Sequence, residues 1–469
     1  MRRPLAVPVF GRELRLSGRV TAANEAFIDR LRRFDVRDPE GEPERGRRPF
    51  ADEVDLDQRI EVDVFYTFTD RIALYLAGQV EWQNLVYSDF SPEIQRSSIA
   101  RKEAWVYVGD PFIDPLGIQV GAQRFSDDHQ WWWDFDLDAA RLRWDGRRFS
   151  AFLSVAEQLL PRQVGTDRIA AFEQDVFRIL AEGYWTLPDD HVVALRVLHH
   201  DDGSPNYRVG ECVPSAPGLF FRFGCIDPKR EDPSDARLTW IGGHAAGRIK
   251  LRRFGQIHYR VDGAYLFGDE TSYDLAGPDP ETGEARRAAA ADRHGVHGHG
   301  FDVGLQWELD LPGHPTWIAS YAFGSGHPND DADKQRGFRQ TGIHDNGDKY
   351  RGVATLDYYG ELLGPELSNL EIWTAGVGVR LFDSSSLDFL YHHYRQDETA
   401  DFLRDTSIRR RPYGENKHIG DEFDAILGIE EWERFEIKAV FGVFRSGRAF
   451  RPGDGDFSYL ASLRFRMNF

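Results

Sequence analysis

The last thirteen residues of the chain alternate between two kinds of side chain, and this limits what the chain can fold into. From Phe457 to Phe469 every second residue is apolar, and the residues between them are polar or charged, apart from Leu460. A period of two indicates a β-strand between two different solvents. As the last strand of a soluble sandwich it would expose a row of large apolar groups. In a transmembrane barrel the same row faces lipid and the arginines face a wet lumen.

The same alternation recurs along the chain, which favours the barrel over the sandwich. In 54–64, for example, valines, leucine and isoleucine alternate with aspartates, arginine and glutamate. Eighteen strands are predicted, near 12–22, 52–67, 71–85, 98–110, 115–124, 135–146, 148–159, 172–187, 191–200, 235–248, 255–269, 299–311, 314–324, 370–382, 385–396, 419–431, 433–444 and 456–469.

The connections between these strands alternate between short turns and long polar segments. Eight short turns and nine long connections are predicted, the longest being 325–369. This is typical of an all-β, antiparallel outer-membrane barrel with long extracellular loops, short periplasmic turns and both termini in the periplasm. We expect a single domain over 1–469, with an N-terminal segment 1–11 and the barrel from about 12. Eighteen strands leave an aqueous channel.

Composition removes some classes of function. The formal net charge of -19 argues against a nucleic-acid partner. No window approaches 18 apolar residues, so the sequence predicts no transmembrane helix. No apolar stretch of a signal peptide follows Met1, although a barrel needs one for export. We therefore expect this chain to be a processed form that carries an added Met1.

Three groups of residues in the predicted loops have chemistry of their own. Cys212 and Cys225 lie in one long connection and should form a disulfide outside the cytoplasm, with two free thiols as the alternative. His294, His297 and His299 could bind a metal but are predicted to be solvated loop histidines. The acidic run 329–333 could hold Ca²⁺ in an extracellular loop, although it lacks the spacing of a dedicated calcium loop. We expect no other cofactor.

Nine stretches, in order along the chain, resemble the alginate export porins of Gram-negative outer membranes. The resemblance runs from about residue 12 to the end. The stretch with Gly360, Glu361 and Leu362, followed by 366–370, is the most specific of them. The others are 100–107, 121–131, 198–202, 238–242, 321–326, 338–342, 421–424 and 451–454.

The resemblance implies a monomeric eighteen-stranded barrel that exports an acidic polyuronate through an arginine-rich, anion-selective constriction. Guanidinium groups bind carboxylates with a planar fork and stay charged at physiological pH. Outer-membrane lipid, lipopolysaccharide and periplasmic secretion or biosynthesis proteins are the other partners it implies. By position, the pore-lining residues are Arg15, Arg59, Lys102, Arg124, Asp134, Asp167, Arg351 and Lys438.

The alternation of each strand tests part of this assignment. Arg15, Arg59 and Lys438 lie on the polar parity of their strands and should point inward. Lys102 and Arg124 lie on the apolar parity, so each requires a bulge or a position beyond the apolar band.

The sequence also departs from the family at several positions, and at two of them lysine stands where the family has arginine. Val440 stands where the family has a second arginine beside the Lys438 position. Arg464 stands where the family has an acid. A cationic lumen is still expected, but the polymer is left open.

Three other functions are compatible with parts of the sequence. An outer-membrane lipase would need a serine and a histidine together, and the one candidate group is His392 and His393 with 384–386. We expect no enzyme. A general or sugar-specific diffusion porin for small anionic solutes would share the whole architecture. A structural barrel without conduction would contain a plug formed by the long connection 325–369.

Overall fold

The structure is a computed structural model that describes residues 5–31, 50–89, 94–164, 169, 173–203, 212–214, 223–225, 236–275, 287–328, 336–408, 410–451 and 454–469. The strands are β1 (Leu5–Val9), β2 (Arg12–Leu31), β3 (Phe50–Thr67), β4 (Ile72–Ser88), β5 (Ile94–Gly109), β6 (Leu116–Ser126), β7 (Asp134–Asp145), β8 (Phe149–Ala156), β9 (Val176–Thr186), β10 (Val192–Asp202), β11 (Cys212–Pro214), β12 (Phe223–Cys225), β13 (Ala236–Lys250), β14 (Gln256–Leu275), β15 (Arg287–Glu308), β16 (Thr316–Gly324), β17 (Gly347–Asp348), β18 (Leu356–Asp357), β19 (Leu370–Leu381), β20 (Ser385–Gln396), β21 (His418–Trp432), β22 (Phe435–Ser446) and β23 (Phe457–Asn468). Short 3₁₀ turns are Pro188–Asp190, Arg252–Phe254 and Arg448–Phe450.

Eighteen of these strands form one closed antiparallel barrel, as predicted. Each barrel strand pairs with the next one in the chain, and β2 pairs with β23 to complete the ring. We call this β2–β23 junction the seam. The pairs β11–β12 and β17–β18 are small separate ladders in the connections. Closure leaves no free sheet edge within the ring, which is what the hydrocarbon region of a bilayer requires.

The N-terminal segment also belongs to the sheet, which the sequence did not predict. β1 pairs with the first residues of β2, from Leu5 opposite Leu16 to Val9 opposite Arg12. β23 pairs with β2 only from Arg19 onward. The hairpin of β1 and β2 therefore extends past the seam at the periplasmic end of the barrel.

Several strands are longer than predicted because the sheet continues beyond the membrane on the extracellular side. β14 continues to Leu275 and β15 begins at Arg287, and both of these ends lie in a stretch that was predicted to be a loop. A membrane crossing needs only about 9–11 tilted residues. Large apolar side chains such as Leu195, Leu305 and Trp317 are exposed on the outer surface, where the lipid would cover them. Among the described residues, no helix has the length and apolar character needed to cross a membrane.

Several of the described connections contribute side chains to a core inside the barrel, and two of them build the site. The first is the tip of the β6–β7 hairpin, 127–133, where Trp131, Trp132 and Trp133 are almost fully buried. The second is the described part of the β16–β19 connection, 336–369, which we call the lumen loop. It contributes large buried side chains, among them Phe338, Tyr350, Tyr358 and Tyr359.

The barrel wall accommodates the lumen loop through small residues. A Cβ atom on Gly300 would lie 2.2 Å from the ring of Phe338, and one on Gly298 would lie 2.3 Å from the Phe338 backbone nitrogen. Any larger residue at these two positions would push the loop away from the wall. The inward packing of the loop is therefore encoded in the strand that receives it.

Candidate functional site in the barrel lumen

Arg59 lies on the lumen face of β3, as its parity predicted, within a cluster of acids. Its guanidinium donates to Glu81 Oε1 at 2.8 Å and lies 3.6 Å from Asp57 and 4.0 Å from Glu61. The side chains of Glu81 and Asp57 are only 2% and 6% exposed. Arg59 thus neutralises acids of the wall, so a substrate carboxylate would have to compete for it.

Lys102 reaches the interior through a β-bulge, one of the two arrangements that its parity allowed. Leu76 pairs with Ala104 while Gly78 pairs with Arg101, so Lys102 and Glu103 together oppose the single residue between them on β4. The bulge changes the direction of the side chains that follow it. Lys102 Nζ lies 2.9 Å from the buried Asp136 carboxylate of β7.

Arg124 lies beyond the last residue pair of β5 and β6, which is Ala104 with Ala122. Above this point β5 bonds instead to the connection after β8, since the Arg101 N–H donates to the Arg162 carbonyl at 2.8 Å. The β6–β7 hairpin is therefore free to turn into the barrel. There the Arg124 guanidinium binds both oxygens of Asp134, at 2.6 and 2.8 Å.

Lys438 points inward from β22, as its parity predicted, and binds the lumen loop. Its Nζ lies 2.6 Å from Glu361 Oε1. Directly opposite Lys438 on β23 stands Arg464. Like charges in directly opposite positions of neighbouring strands destabilise the pair. Within the residues it describes, the structure gives Arg464 no ion-pair partner, and its Nε is buried without a hydrogen bond.

Arg464 faces a cavity of about 60 Å³ between the lumen loop and the wall formed by β21, β22 and β23. Two other cations there have partners, since Lys349 lies 3.3 Å from Glu430 and Arg466 lies 2.9 Å from Glu436. Together with Lys438 and Arg464, these two cations and their partners give the lining four cations and two carboxylates. The charged lining residues are Lys349, Glu430, Glu436, Lys438, Arg464 and Arg466.

Asp345 of the lumen loop joins this cavity to the β6–β7 hairpin. Enclosure within the barrel raises the pKa of its carboxyl, the charge of Asp134 raises it further, and Arg124, Arg464 and Lys438 oppose the rise. Arg124, Asp134 and Lys438 therefore all lie within electrostatic range of this one carboxyl. Arg464 also lies within electrostatic range of Asp57 beside Arg59.

Two of the predicted pore residues lie apart from this group. Arg15 is on the lumen parity but stands in the periplasmic extension of β2, where it is half-exposed beside Glu13 at 3.6 Å. Arg351, in the lumen loop, binds Glu308 at 3.2 Å where β15 ends. Asp167 lies outside the described residues, as does the acidic run 329–333.

Sequence reasoning missed several members of the site. Arg464 was predicted to face the lumen and was noted as a departure from the family, but its position directly opposite Lys438 depends on the strand register, which parity does not give. Glu361 and Asp345 belong to a connection without regular periodicity, so no local pattern predicted that they enter the lumen. Their positions depend on how the whole loop packs.

The predicted metal and enzyme groups are arranged differently from the sequence expectation. His294 is in β15 and not in a loop, and it points inward while His297 and His299 point outward. His392 is buried against Thr374, whereas the neighbouring His393 binds Asp421. His392 and Ser386 stand about 20 Å apart along β20. Neither the three histidines nor this serine and histidine converge.

Cys212 and Cys225 are direct partners in the short ladder of β11 and β12. The ladder places their backbones opposite each other, as a disulfide would require. The bond itself stays a prediction.

Comparison with known proteins identifies a family. The family model described as Alginate export matches residues 225–460, about half of the chain. The alginate production protein AlgE of Azotobacter vinelandii is 21% identical over 320 residues, which is 66% of this chain and 61% of that relative. The matched part thus spans less than two thirds of the relative's length.

Solved structures of similar fold are outer-membrane proteins of Pseudomonas aeruginosa. OpdK, solved with vanillate, has a TM-score of 0.51 at 9% identity, covering 97% of this chain and 99% of that one. OprD, described as an outer membrane protein, has a TM-score of 0.50 at 10% identity, covering 97% and 93%. At these identities the likeness concerns the fold alone.

Proposed function

Because the chain belongs to the alginate export family of bacterial outer-membrane channels, we propose that it exports an acidic, polyuronate-like polysaccharide through an anion-selective lumen. The family and the fold are those of channels and not of enzymes. The relative named as an alginate production protein supports an alginate-like polymer as the substrate class.

The single observation that carries this proposal is the Lys438–Arg464 pair at the cavity. Two cations stand directly opposite each other on the lumen face, and only Lys438 has a described carboxylate partner. A carboxylate beside Arg464 would relieve the repulsion and satisfy its buried Nε. A polyuronate presents one carboxylate on each sugar, and the planar guanidinium fork matches that group.

The other cations of the site support transport and not permanent binding. Arg59, Lys102 and Arg124 already hold wall carboxylates at 2.8, 2.9 and 2.6 Å. A passing uronate would exchange with these acids, so each contact would form and break with little net change in free energy. Conduction requires several weak sites in series. The alternating wall acids provide that weakness, and Arg464 provides a point of stronger attraction.

The main alternative is a diffusion porin for small anionic solutes, which would need the same cationic lining. The polymer distinguishes the two, because an exporter should be blocked by oligouronates that span several of its sites. The inward packing of the lumen loop is also the feature expected of a barrel without conduction. Three of its polar residues, Asp345, Lys349 and Asp357, are nevertheless exposed, so the loop keeps a hydrated surface.

Planar-bilayer recording tests the proposal. With unequal KCl on the two sides, the reversal potential should indicate anion selectivity, and oligouronate added on the periplasmic side should block the current. Arg464→Gln should weaken the block about 10-fold, equivalent to about 1.4 kcal/mol, within the range expected for one partly screened charge pair. Arg466→Gln is the matched control, since it removes a charge two residues away that Glu436 already balances.

Each result has a defined meaning. Block by oligouronate and by neutral oligosaccharide alike would indicate simple occlusion and would contradict the proposal. Anion selectivity without any block would favour the diffusion porin. A barrel that gives no current, with either the original chain or the variants, would favour the structural role.

A further inference from the structure

Arg141, like Arg464, is an arginine of the lumen wall without an acidic partner. It lies on β7, on the parity opposite to Leu142, whose side chain is exposed on the outer surface. Among the described residues its guanidinium forms no ion pair, and its Nε is buried without a hydrogen bond. Its Nη2 donates to the Arg124 carbonyl at 3.2 Å, and this contact is exposed. Nη1 has no acceptor in the described part of the chain, so the outer edge of the guanidinium is open to the lumen.

The neighbouring positions explain the missing partner. Directly opposite Arg141 stand Gln119 on β6 and Ser154 on β8, and neither carries a charge. Both side chains are also engaged, since Gln119 Oε1 accepts from Arg143 at 3.4 Å and Ser154 Oγ donates to a backbone carbonyl at 3.1 Å. The wall thus gives Arg141 no adjacent counterion, unlike Arg59, whose neighbours include three acids.

Glu103 and Glu182 lie within electrostatic range of Arg141, but both are engaged elsewhere. Glu103 accepts hydrogen bonds from an indole and a backbone N–H, both at 3.1 Å. Glu182 accepts from Arg196 at 2.7 Å. Arg143, two residues along the same face, adds a like charge. A negatively charged ligand at Arg141 would therefore find a positive charge that the wall only partly offsets.

Two aromatic rings hold the Arg141 guanidinium in place. Its Cζ lies 3.6 Å from the ring centre of Phe125 and 5.1 Å from that of Phe152. The two rings themselves stand edge to face, with their centres 5.9 Å apart. Stacking on a ring fixes the plane of a guanidinium and leaves its N–H edge available for hydrogen bonds. A side chain that is already fixed loses little conformational freedom when a ligand binds, which favours binding.

We propose that Arg141 is a further carboxylate-binding residue of the transport path, and this inference rests on the proposed export of a polyuronate. The open edge of a guanidinium matches a carboxylate with two parallel N–H···O bonds. A uronate carboxylate would thus supply the counterion that the wall lacks. In the β6–β7 register, Arg141 lies five residues nearer the periplasmic turn than Asp136, which stands opposite Arg124. A polymer that enters from the periplasm would reach Arg141 before it reaches the Arg124–Asp134 pair.

The test is a calorimetric titration of the full chain in detergent with an oligouronate of defined length. Arg141→Gln should weaken binding about 10-fold, as expected for one charge-assisted hydrogen-bonded pair. Arg143→Gln is the matched control, because it makes the same change of net charge on the same face but removes a cation that Asp145 already binds at 3.2 Å. It should change the affinity by less than about 2-fold. The carboxyl-reduced, neutral form of the oligomer should not distinguish Arg141→Gln from the original chain.

Arg141 also connects the wall with the inturned hairpin, so a purely structural role has to be separated from binding. Near-ultraviolet circular dichroism and gel mobility without heating should be the same for Arg141→Gln and the original chain. If Arg141→Gln does not form the compact barrel, Gln119→Glu replaces it. This near-isosteric change places a wall carboxylate beside Arg141 and Arg143, and it should weaken oligouronate binding to a similar extent.

The outcomes separate this inference from the proposed function. Unchanged affinity in Arg141→Gln, equal losses in Arg141→Gln and Arg143→Gln, or an original chain that does not bind oligouronate would each overturn the inference. The titration does not require conduction. A barrel that binds oligouronate through Arg141 but shows no block in bilayers would therefore contradict the proposed export alone. A block that Arg464→Gln weakens, together with unchanged affinity in Arg141→Gln, would contradict this inference alone.

Discussion

Glu361 of the lumen loop lies 2.6 Å from the Nζ of Lys438 on β22, and both side chains are largely shielded, at 7% and 14% exposure. The neighbouring Leu362 and Leu363 N–H groups donate to the Glu422 carboxylate of β21 at 2.7 and 2.9 Å. The Glu361 N–H also donates to Asp424 at 3.3 Å, so the loop is attached to the wall at consecutive residues by one ion pair and three hydrogen bonds. Its position in the lumen depends on these attachments.

Removing the ion pair should loosen the loop. Lys438→Gln should remove about 1.5–3 kcal/mol of attachment, the usual contribution of a hydrogen bond between charged groups. We expect larger fluctuations of the open-state current in single-channel recordings. Lys250→Gln, at the periplasmic end of β13, is the control and should behave like the original chain. Unchanged current noise in Lys438→Gln would mean that the other attachments, such as those to Glu422, Glu430 and Glu308, are enough to hold the loop.

Arg59 should matter more for stability than Arg15, although both are basic residues on the lumen face. Arg59→Gln leaves Glu81 and Asp57 buried without their cation, which should cost about 3–5 kcal/mol. Arg15→Gln removes an exposed pair with Glu13 and should cost at most about 1 kcal/mol. Unfolding in guanidinium chloride, followed by gel mobility and fluorescence, measures both. Equal losses of unfolding free energy in the two variants would contradict the buried environment of Arg59 and the exposed environment of Arg15.

Glu366 of the lumen loop should make stability depend on pH. Burial raises the pKa of this carboxyl from 4.5 to about 7, and Asp405 raises it while Arg404 opposes the rise. Between these two values the folded chain keeps a proton that the unfolded chain releases. The contribution of Glu366 to the free energy of unfolding is therefore greatest below about pH 4.5. It decreases as the pH rises to about 7, by about 3 kcal/mol at most.

Glu366→Gln should remove this dependence, because the amide does not titrate. The free energy of unfolding of the original chain and of the variant should differ little near pH 4.5 and diverge toward pH 7, with the variant the more stable. Parallel curves across that range would assign the pH dependence to other groups.

The pairing of Cys212 with Cys225 predicts a disulfide in the extracellular connection between β10 and β13. Intact-mass measurement after alkylation, with and without prior reduction, counts the available thiols. We expect no alkylation without reductant and modification at both residues after reduction. Alkylation of both cysteines in the unreduced chain would rule out the bond.

The wall of the barrel was predictable because strand alternation is a local signal. The predicted ranges for β19 and β20 agree with the structure within one residue at each end, and Lys438 points inward as its parity required. The same rule required either a bulge at Lys102 or a position beyond the apolar band, and the structure has the bulge. Parity alone could not choose between a bulge and a position beyond the membrane.

The contents of the barrel were not predictable in the same way. The hairpin tip with Trp131, Trp132 and Trp133 reads as a loop in the sequence, yet these rings are among the most buried in the protein. Trp131 packs against Phe338 and donates to Tyr359, both more than 200 positions further along the chain. Such contacts carry no periodic signal. The contact of His129 with His244, whose ring centres lie 5.2 Å apart, was missed for the same reason.

The seam has a consequence for the order in which the protein assembles. It joins Arg19 to Asn468, residues separated by 449 positions, so it cannot form before β23 has been made. The three tryptophans and the lumen loop precede β23 in the chain and can pack while one side of the sheet is still open. Bulky rings would have no comparable way in after closure. Closure of the barrel therefore also encloses the tryptophans and the lumen loop, and it is the last step of assembly.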